Sequence, residues 1–262
     1  MSSSDYSIDY RNYIQEDERF ILYEGETIDE EKLESFITKH EDLITKRYKR
    51  LRNAYFGRYK IFFAKRKQPG KPDNRIAVNF ARYLVNVFQG FFIGNPIKIT
   101  HPDPEVSAEI RSILRKNSIR SKDSSIAKQC SIFGKCYELM WINENSELRM
   151  ACIKPTEGFM VYDDSIEPSP VAFVTVEKDA NGIKRGQVID SYSIRYYTQE
   201  NGTSYTGKED VHQFRDVPAV EYRENEEAQS IFEPVYSLIN AYNDAISDKA
   251  NVGDYFSDSY LK

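Results

Sequence analysis

Apolar residues recur at helical spacing through Leu33, Phe36, Ile37, Leu43, Ile44, Tyr48, Leu51 and Tyr55 until Gly57 ends the run. This predicts one amphipathic helix of about eight turns, opened by a capping box of Thr27 and Glu30. A second helix is predicted over 79–92. Its face of Phe80, Tyr83, Leu84, Val87, Phe88, Phe91 and Phe92 belongs in a core, and Gly94-Asn-Pro96 stops it. A short strand over 97–99, a helix over about 106–116 and another over about 122–133, closed by Gly134, complete the first half. The stretch Lys65-Arg-Lys-Gln-Pro-Gly-Lys-Pro-Asp-Asn74 reads as an exposed loop.

The period then switches from near four to two. Strands are predicted over 136–142, 148–153, 159–162, 171–177, 187–194, 196–198 and 219–222, separated by turn residues such as Asn143-Glu-Asn145, Asp163-Asp164 and Asn181-Gly182. Past Glu224, Pro234 opens a helical pattern carried by Val235, Leu238, Ile239, Tyr242, Ile246, Tyr255 and Phe256, which Gly253 weakens late. Helices grouped before strands give an α+β class: amino-terminal helices, an antiparallel strand-rich region and a long carboxyl-terminal helix. The first 26 residues have no sustained period and read as an extended arm that orders on a neighbour. The divisions are therefore an arm over 1–26, an α+β domain over 27–225 and the start of a long helix over 226–262.

Charge divides along the same lines. Residues 1–45 hold 13 acidic and 4 basic side chains. Residues 46–75 then hold 12 basic side chains against the single acid Asp73. This block, with Lys46, Arg47, Lys49, Arg50, Arg52, Arg58, Lys60, Lys65, Arg66 and Lys67 as candidate contacts, calls for a polyanion or an acidic neighbouring subunit. Tyr and Phe are abundant, at 19 and 15 of 262 residues, which suits interfaces as well as cores. Mean hydropathy is -0.62, no apolar run reaches the ~18 residues of a membrane span, and Met1-Ser-Ser-Ser-Asp-Tyr lacks a secretory-signal pattern.

Candidate chemistry is sparse. Cys130, Cys136 and Cys152 have no zinc spacing and read as packed free thiols. His40, His101 and His212 lie in separate segments, outside any paired-ligand motif. Gly134-Lys135 lacks the rest of a phosphate-binding loop, and neither a Gly-x-Ser-x-Gly nor a Gly-x-Gly-x-x-Gly stretch occurs. Asp163, Asp164 and Glu167 could in principle hold magnesium, but Asp-Asp-Ser between two strands is common turn chemistry. The residues therefore point to no catalytic group, metal or cofactor.

Several blocks together resemble phage portal proteins of the SPP1 type. They are Tyr48-Lys-Arg-Leu-Arg-Asn-Ala-Tyr-Phe-Gly57, Asn79-Phe-Ala-Arg-Tyr-Leu-Val-Asn-Val-Phe-Gln-Gly90 and Phe92-Ile-Gly-Asn-Pro-Ile97. Ser131-Ile-Phe-Gly-Lys-Cys-Tyr-Glu-Leu139, Lys154-Pro155 before Val161-Tyr-Asp-Asp164, and Val217-Pro-Ala-Val-Glu-Tyr-Arg-Glu-Asn225 follow in order. Phe232-Glu-Pro-Val, Ile239-Asn-Ala-Tyr-Asn243 and Ser247-Asp248 extend the likeness to the end of the chain. The resemblance implies a non-enzymatic subunit of a ring, usually of twelve copies, at one capsid vertex. DNA is packaged and ejected through that ring, which docks terminase, the major capsid protein and head-completion proteins. It implies a virion component assembled in the host cytoplasm. Residues 27–225 would be the wing and the helix after Pro234 the first stem helix, with the clip, second stem helix, tunnel loop and crown expected beyond Lys262.

A conduit must not grip its cargo. If all the basic residues of 46–75 bound phosphates, affinity would depend on salt with a log-log slope near -0.9 per contact over up to about twelve contacts. That block is therefore expected to face outward, towards capsid, a neighbour or DNA coiled outside. The rival reading is a nucleic-acid-binding accessory protein or metal-dependent nuclease using residues 46–75 with Asp163, Asp164 and Glu167. A third is an adaptor that scaffolds partners through its aromatic surface.

Overall fold

A computed structural model of the chain describes residues 19–260 apart from 66, 96 and 201. The fold is α+β. A helix α1 (Glu30–Leu43) continues through a π-helical turn (Ile44–Tyr48) into α2 (Lys49–Tyr55). The long helix expected from the apolar spacing is thus present with a bulge inside it. Its cap is Asp29, whose carboxylate accepts the Lys32 N–H at 2.8 Å, and not Thr27. A 3-10 turn (Lys60–Phe63) and an irregular segment lead to α3 (Phe80–Ile93), capped by Asn79. Helices α4 (Pro104–Lys116) and α5 (Ile119–Phe133) follow, and residues 97–99 form no strand.

The strands build two sheets. The larger contains β1 (Phe20–Leu22), β4 (Gly158–Asp163), β5 (Pro170–Thr175), β7 (Lys184–Ile189), β8 (Ser193–Gln199) and β9 (Thr203–Val211) in that order, with β6 (Glu177–Lys178) on β7. The smaller is antiparallel, ordered β10 (Ala219–Arg223), β2 (Lys135–Ile142), β3 (Leu148–Ile153). All pairings are antiparallel except β1 on β4.

Side chains on β4 alternate between two cores. Phe159 and Val161 join Phe20, Leu33, Phe36 and Ile37 beneath α1, whereas Met160 and Tyr162 join Tyr137, Phe173 and Ile189 between the two sheets. The outer side of the small sheet is covered by α5 through Ile126, Cys130 and Cys136. Gly134 closes α5 at φ 88°, and a Cβ there would lie 1.8 Å from the Ala228 carbonyl oxygen, so only glycine fits.

Strand β1 corrects the reading of the arm. Phe20 is 2% exposed and stacks on Phe159 at 4.1 Å, so this part of the arm is built into its own domain. Residues 1–18 lie outside the described residues. The aromatic face of α3 is also corrected. Only Ala81 and Val85 of that helix are buried, while Tyr83, Val87, Phe91 and Phe92 are exposed.

His40 is sealed between Phe20 and Phe159, with Nε2 2.7 Å from the Pro155 carbonyl oxygen. That nitrogen donates, and burial lowers the imidazole pKa to about 4. Between about pH 6.5 and pH 4 the unfolded chain takes up a proton that the native chain refuses, so stability falls as pH falls through this window. Chemical denaturation should show about 2–3 kcal/mol lost through this residue between about pH 7 and pH 4.5. His40→Gln, which keeps an N–H donor but does not titrate, should lack that component; an unchanged pH slope would contradict it.

Candidate functional site

The last helix, α6 (Tyr236–Tyr260), follows a 3-10 turn (Glu233–Val235) with Pro234 in its first turn, and it continues through Gly253. What holds it to the domain is mostly polar. Residues 74–78 belong to no helix or strand, so their N–H groups need acceptors from elsewhere. Asn251 Oδ1 accepts the Asn74 N–H at 2.6 Å, Ser247 Oγ the Ile76 N–H at 2.9 Å, and Asn243 Oδ1 the Val78 N–H at 2.8 Å. Helical residues four apart rise about 6 Å. Alternate residues of an extended chain advance about 6.6 Å. The two steps match, so a side-chain ladder on the helix can serve a strand running antiparallel to it. Asn243, Ser247 and Asn251 are accordingly buried, as is Ile239 one step earlier.

The base of α6 is fixed by charge. Glu233 Oε1 accepts from Arg47 Nε at 3.1 Å and Arg50 Nη2 at 2.9 Å, while Oε2 accepts from Arg47 Nη2 at 2.9 Å and the Ser230 N–H at 3.2 Å. Arg47 also donates to the Ala228 carbonyl at 2.8 Å. Next to it, Ser230 Oγ and the Ile231 N–H both donate to the Ser131 carbonyl near the end of α5. The approach to α6 is therefore joined to α1–α2 and to α5.

With its polar side spent inward, α6 turns its apolar side out. Leu238 is 67% and Tyr255 64% exposed, with Val235, Tyr242, Val252 and Phe256 also exposed and Ile246 half-buried. Of the residues predicted to pack this helix, only Ile239 is buried within the chain. Tyr242 meets Phe80 of α3 edge-on at 5.3 Å. Through that contact the exposed side of α6 continues into that of α3, where Phe91 reaches 88% exposure.

The basic block divides in two. Arg47 and Arg50, expected as contacts for a polyanion or another subunit, both pair with Glu233 of their own chain. Lys46 pairs with Asp42 and Lys67 with Asp248, both at the surface. Lys49, Arg52, Arg58, Lys60 and Lys65 are exposed and meet no carboxylate among the described residues. Arg66 lies outside the described residues.

The candidate reactive groups are built into the scaffold. Asp163 Oδ1 accepts Ser165 Oγ at 2.7 Å and the Ser169 N–H at 2.8 Å, and these bonds lower its pKa and shape the turn after β4. Among the described residues no three His, Cys, Asp or Glu side chains are grouped to hold a metal. The His212 ring contacts the Asp190 carbonyl at 2.8 Å, and His101 Nδ1 accepts the Asp103 N–H at 3.1 Å. Cys136 and Cys152 sulfurs lie 3.2 Å apart as free thiols, and burial pushes the Cys130 thiol up to about 12.

Sequence reasoning missed Glu233 and the Asn243, Ser247, Asn251 ladder. Polar residues four apart on a helix ordinarily mark its solvent side, and only the unpaired backbone of residues 74–78 reverses that inference. The ladder's spacing was nonetheless visible.

A family model described as phage portal protein, SPP1 Gp6-like, matches residues 34–262. No curated protein matches the chain.

Removing the Glu233 carboxylate takes from two guanidinium groups, one of them buried, the anion they share. Glu233→Ala should therefore cost about 3–5 kcal/mol in chemical denaturation. Asp42→Ala, which breaks the exposed pair with Lys46, should cost less than about 1 kcal/mol. Equal losses would show that the carboxylate does not fasten the helix.

Proposed function

Because the chain belongs to the SPP1 Gp6-like phage portal protein family, we infer that it works as one wedge of a closed ring at a capsid vertex, through which DNA is packaged and ejected. The chain acts by shape and association, and carries out no reaction. Residues 27–225 serve as the wing and α6 as the start of the stem. Terminase, the major capsid protein and head-completion proteins dock on the assembled ring, and the ring forms on host-cytoplasmic assembly of the virion.

The observation that carries this reading is the set of exposed apolar residues on α3 and α6, two helices that meet at Phe80 and Tyr242. Monomeric proteins rarely leave large contiguous apolar patches in water, and such patches mark interaction sites. In a ring, one surface of each copy meets a different surface of the next, and rotation closes the circle. Helix α6 suits such an arrangement, since hydrogen bonds and ion pairs hold it in place without using its apolar side.

Burial of a large apolar side chain contributes about 1.5–3 kcal/mol. Phe91→Asp combined with Tyr255→Asp should therefore weaken association at least about a hundredfold. Sedimentation velocity should show the parent as large particles and the variant as single chains, with the melting temperature preserved because both residues are exposed. Particles of the same size from both proteins would remove the support for this surface.

A further inference from the structure

Lys49, Arg52, Arg58, Lys60 and Lys65, which are exposed and meet no carboxylate among the described residues, share a short stretch with exposed aromatic rings. Lys49, Arg52 and Phe56 are spaced three and four apart, and the Arg52 guanidinium lies 5.9 Å from the Phe56 ring centroid. Beyond Gly57, Lys60 is exposed beside Phe62 and Phe63 in the 3-10 turn. Phe56 and Phe63 are each 57% exposed. A DNA phosphate backbone would satisfy the cations and leave these rings in water. The fitting occupant is an acidic peptide that also carries aromatic and aliphatic side chains.

The chain itself supplies such a peptide. Residues 1–18 contain Asp5, Asp9, Glu16, Asp17 and Glu18 against the single base Arg11, interspersed with Tyr6, Tyr10, Tyr13, Ile8 and Ile14. We propose that this arm docks on the cationic and aromatic surface of residues 49–63 in the same chain.

The reach is sufficient. Lys39 on α1 holds the Arg19 carbonyl at 2.8 Å, which fixes where the arm begins. From there to Lys49 and Phe56 is about 15–25 Å of helix. Eighteen extended residues span up to about 60 Å. Tethering gives the arm a millimolar-range effective concentration at its own surface, so weak surface pairs suffice to populate the docked form. The proposal does not rest on the portal reading, because the family match begins at residue 34.

Carbodiimide coupling of the full chain, mapped by mass spectrometry on an equal mixture of isotopically light and heavy protein, tests this directly. At low salt, amide links should join Asp5 or Asp9, which have enough chain beyond Arg19 to reach, to Lys49 or Lys60 within one copy. Their yield should fall about tenfold in 0.5 M salt, where screening shortens the range of exposed charges to a few ångströms. Arg52→Glu with Arg58→Glu, which keeps the reactive lysines, should reduce the links by a similar factor. Links confined to mixed-label pairs would overturn the same-chain assignment, and links indifferent to both salt and charge reversal would overturn the electrostatic one. If no arm links form and an added DNA duplex protects Lys49 and Lys60 from acylation, the surface is a nucleic-acid contact and the proposal falls.

Discussion

The N–H groups of Asn74, Ile76 and Val78 sit on a chain segment that belongs to no sheet, against a helix. Each of these donors is partly shielded from water, and leaving it unpaired would cost up to about a lost hydrogen bond. Asn243, Ser247 and Asn251 supply the acceptors at the one spacing that helix and extended strand share. Much follows from that match. The side of α6 facing its own domain must be polar, so the apolar side faces out. The Arg47, Arg50 and Glu233 cluster then fixes where the helix starts, linking it to α1–α2 and, through Ser230, to α5. A helix fastened in this way keeps Leu238, Tyr242, Tyr255 and Phe256 exposed on its far side.

Much of this was legible in the residues. The switch from a period near four to a period of two marked the change from helices to strands, and the strands over 136–142, 148–153 and 219–222 do form one antiparallel sheet. The strand β4 was legible as an unbroken apolar run because both of its faces are buried. Strand β9 escaped because Thr203–Val211 is mostly polar on an edge exposed to water, and β1 because three residues carry no period. The α3 face misled for a different reason. Periodicity reports that a helix has an apolar side and does not report which molecule covers it. Tyr83, Val87, Phe91 and Phe92 satisfy the pattern while lying outside the core of their own chain.

Charge shows the same distinction between pattern and role. The run over 46–75 reads as one basic block, yet helical geometry sorts it by direction. Arg47 and Arg50, three apart, converge on a carboxylate nearly two hundred residues away, whereas Lys49 and Arg52 point from the other side of the same turns into water. The paired arginines belong to the scaffold. Lys49, Arg52 and Lys60, which meet no carboxylate among the described residues, lie at the surface close in sequence to the exposed Phe56, Phe62 and Phe63.

In the proposed ring, another copy of the chain covers the exposed apolar residues of α3 and α6. Hydroxyl-radical footprinting of the assembled and the dissociated protein tests it most directly, because it reads aromatic side chains one by one. Assembly should protect Tyr83, Phe91, Tyr242 and Tyr255 while Trp141 and Tyr192, exposed elsewhere on the domain, oxidise equally in both states. Equal oxidation of all six in the two states would contradict it.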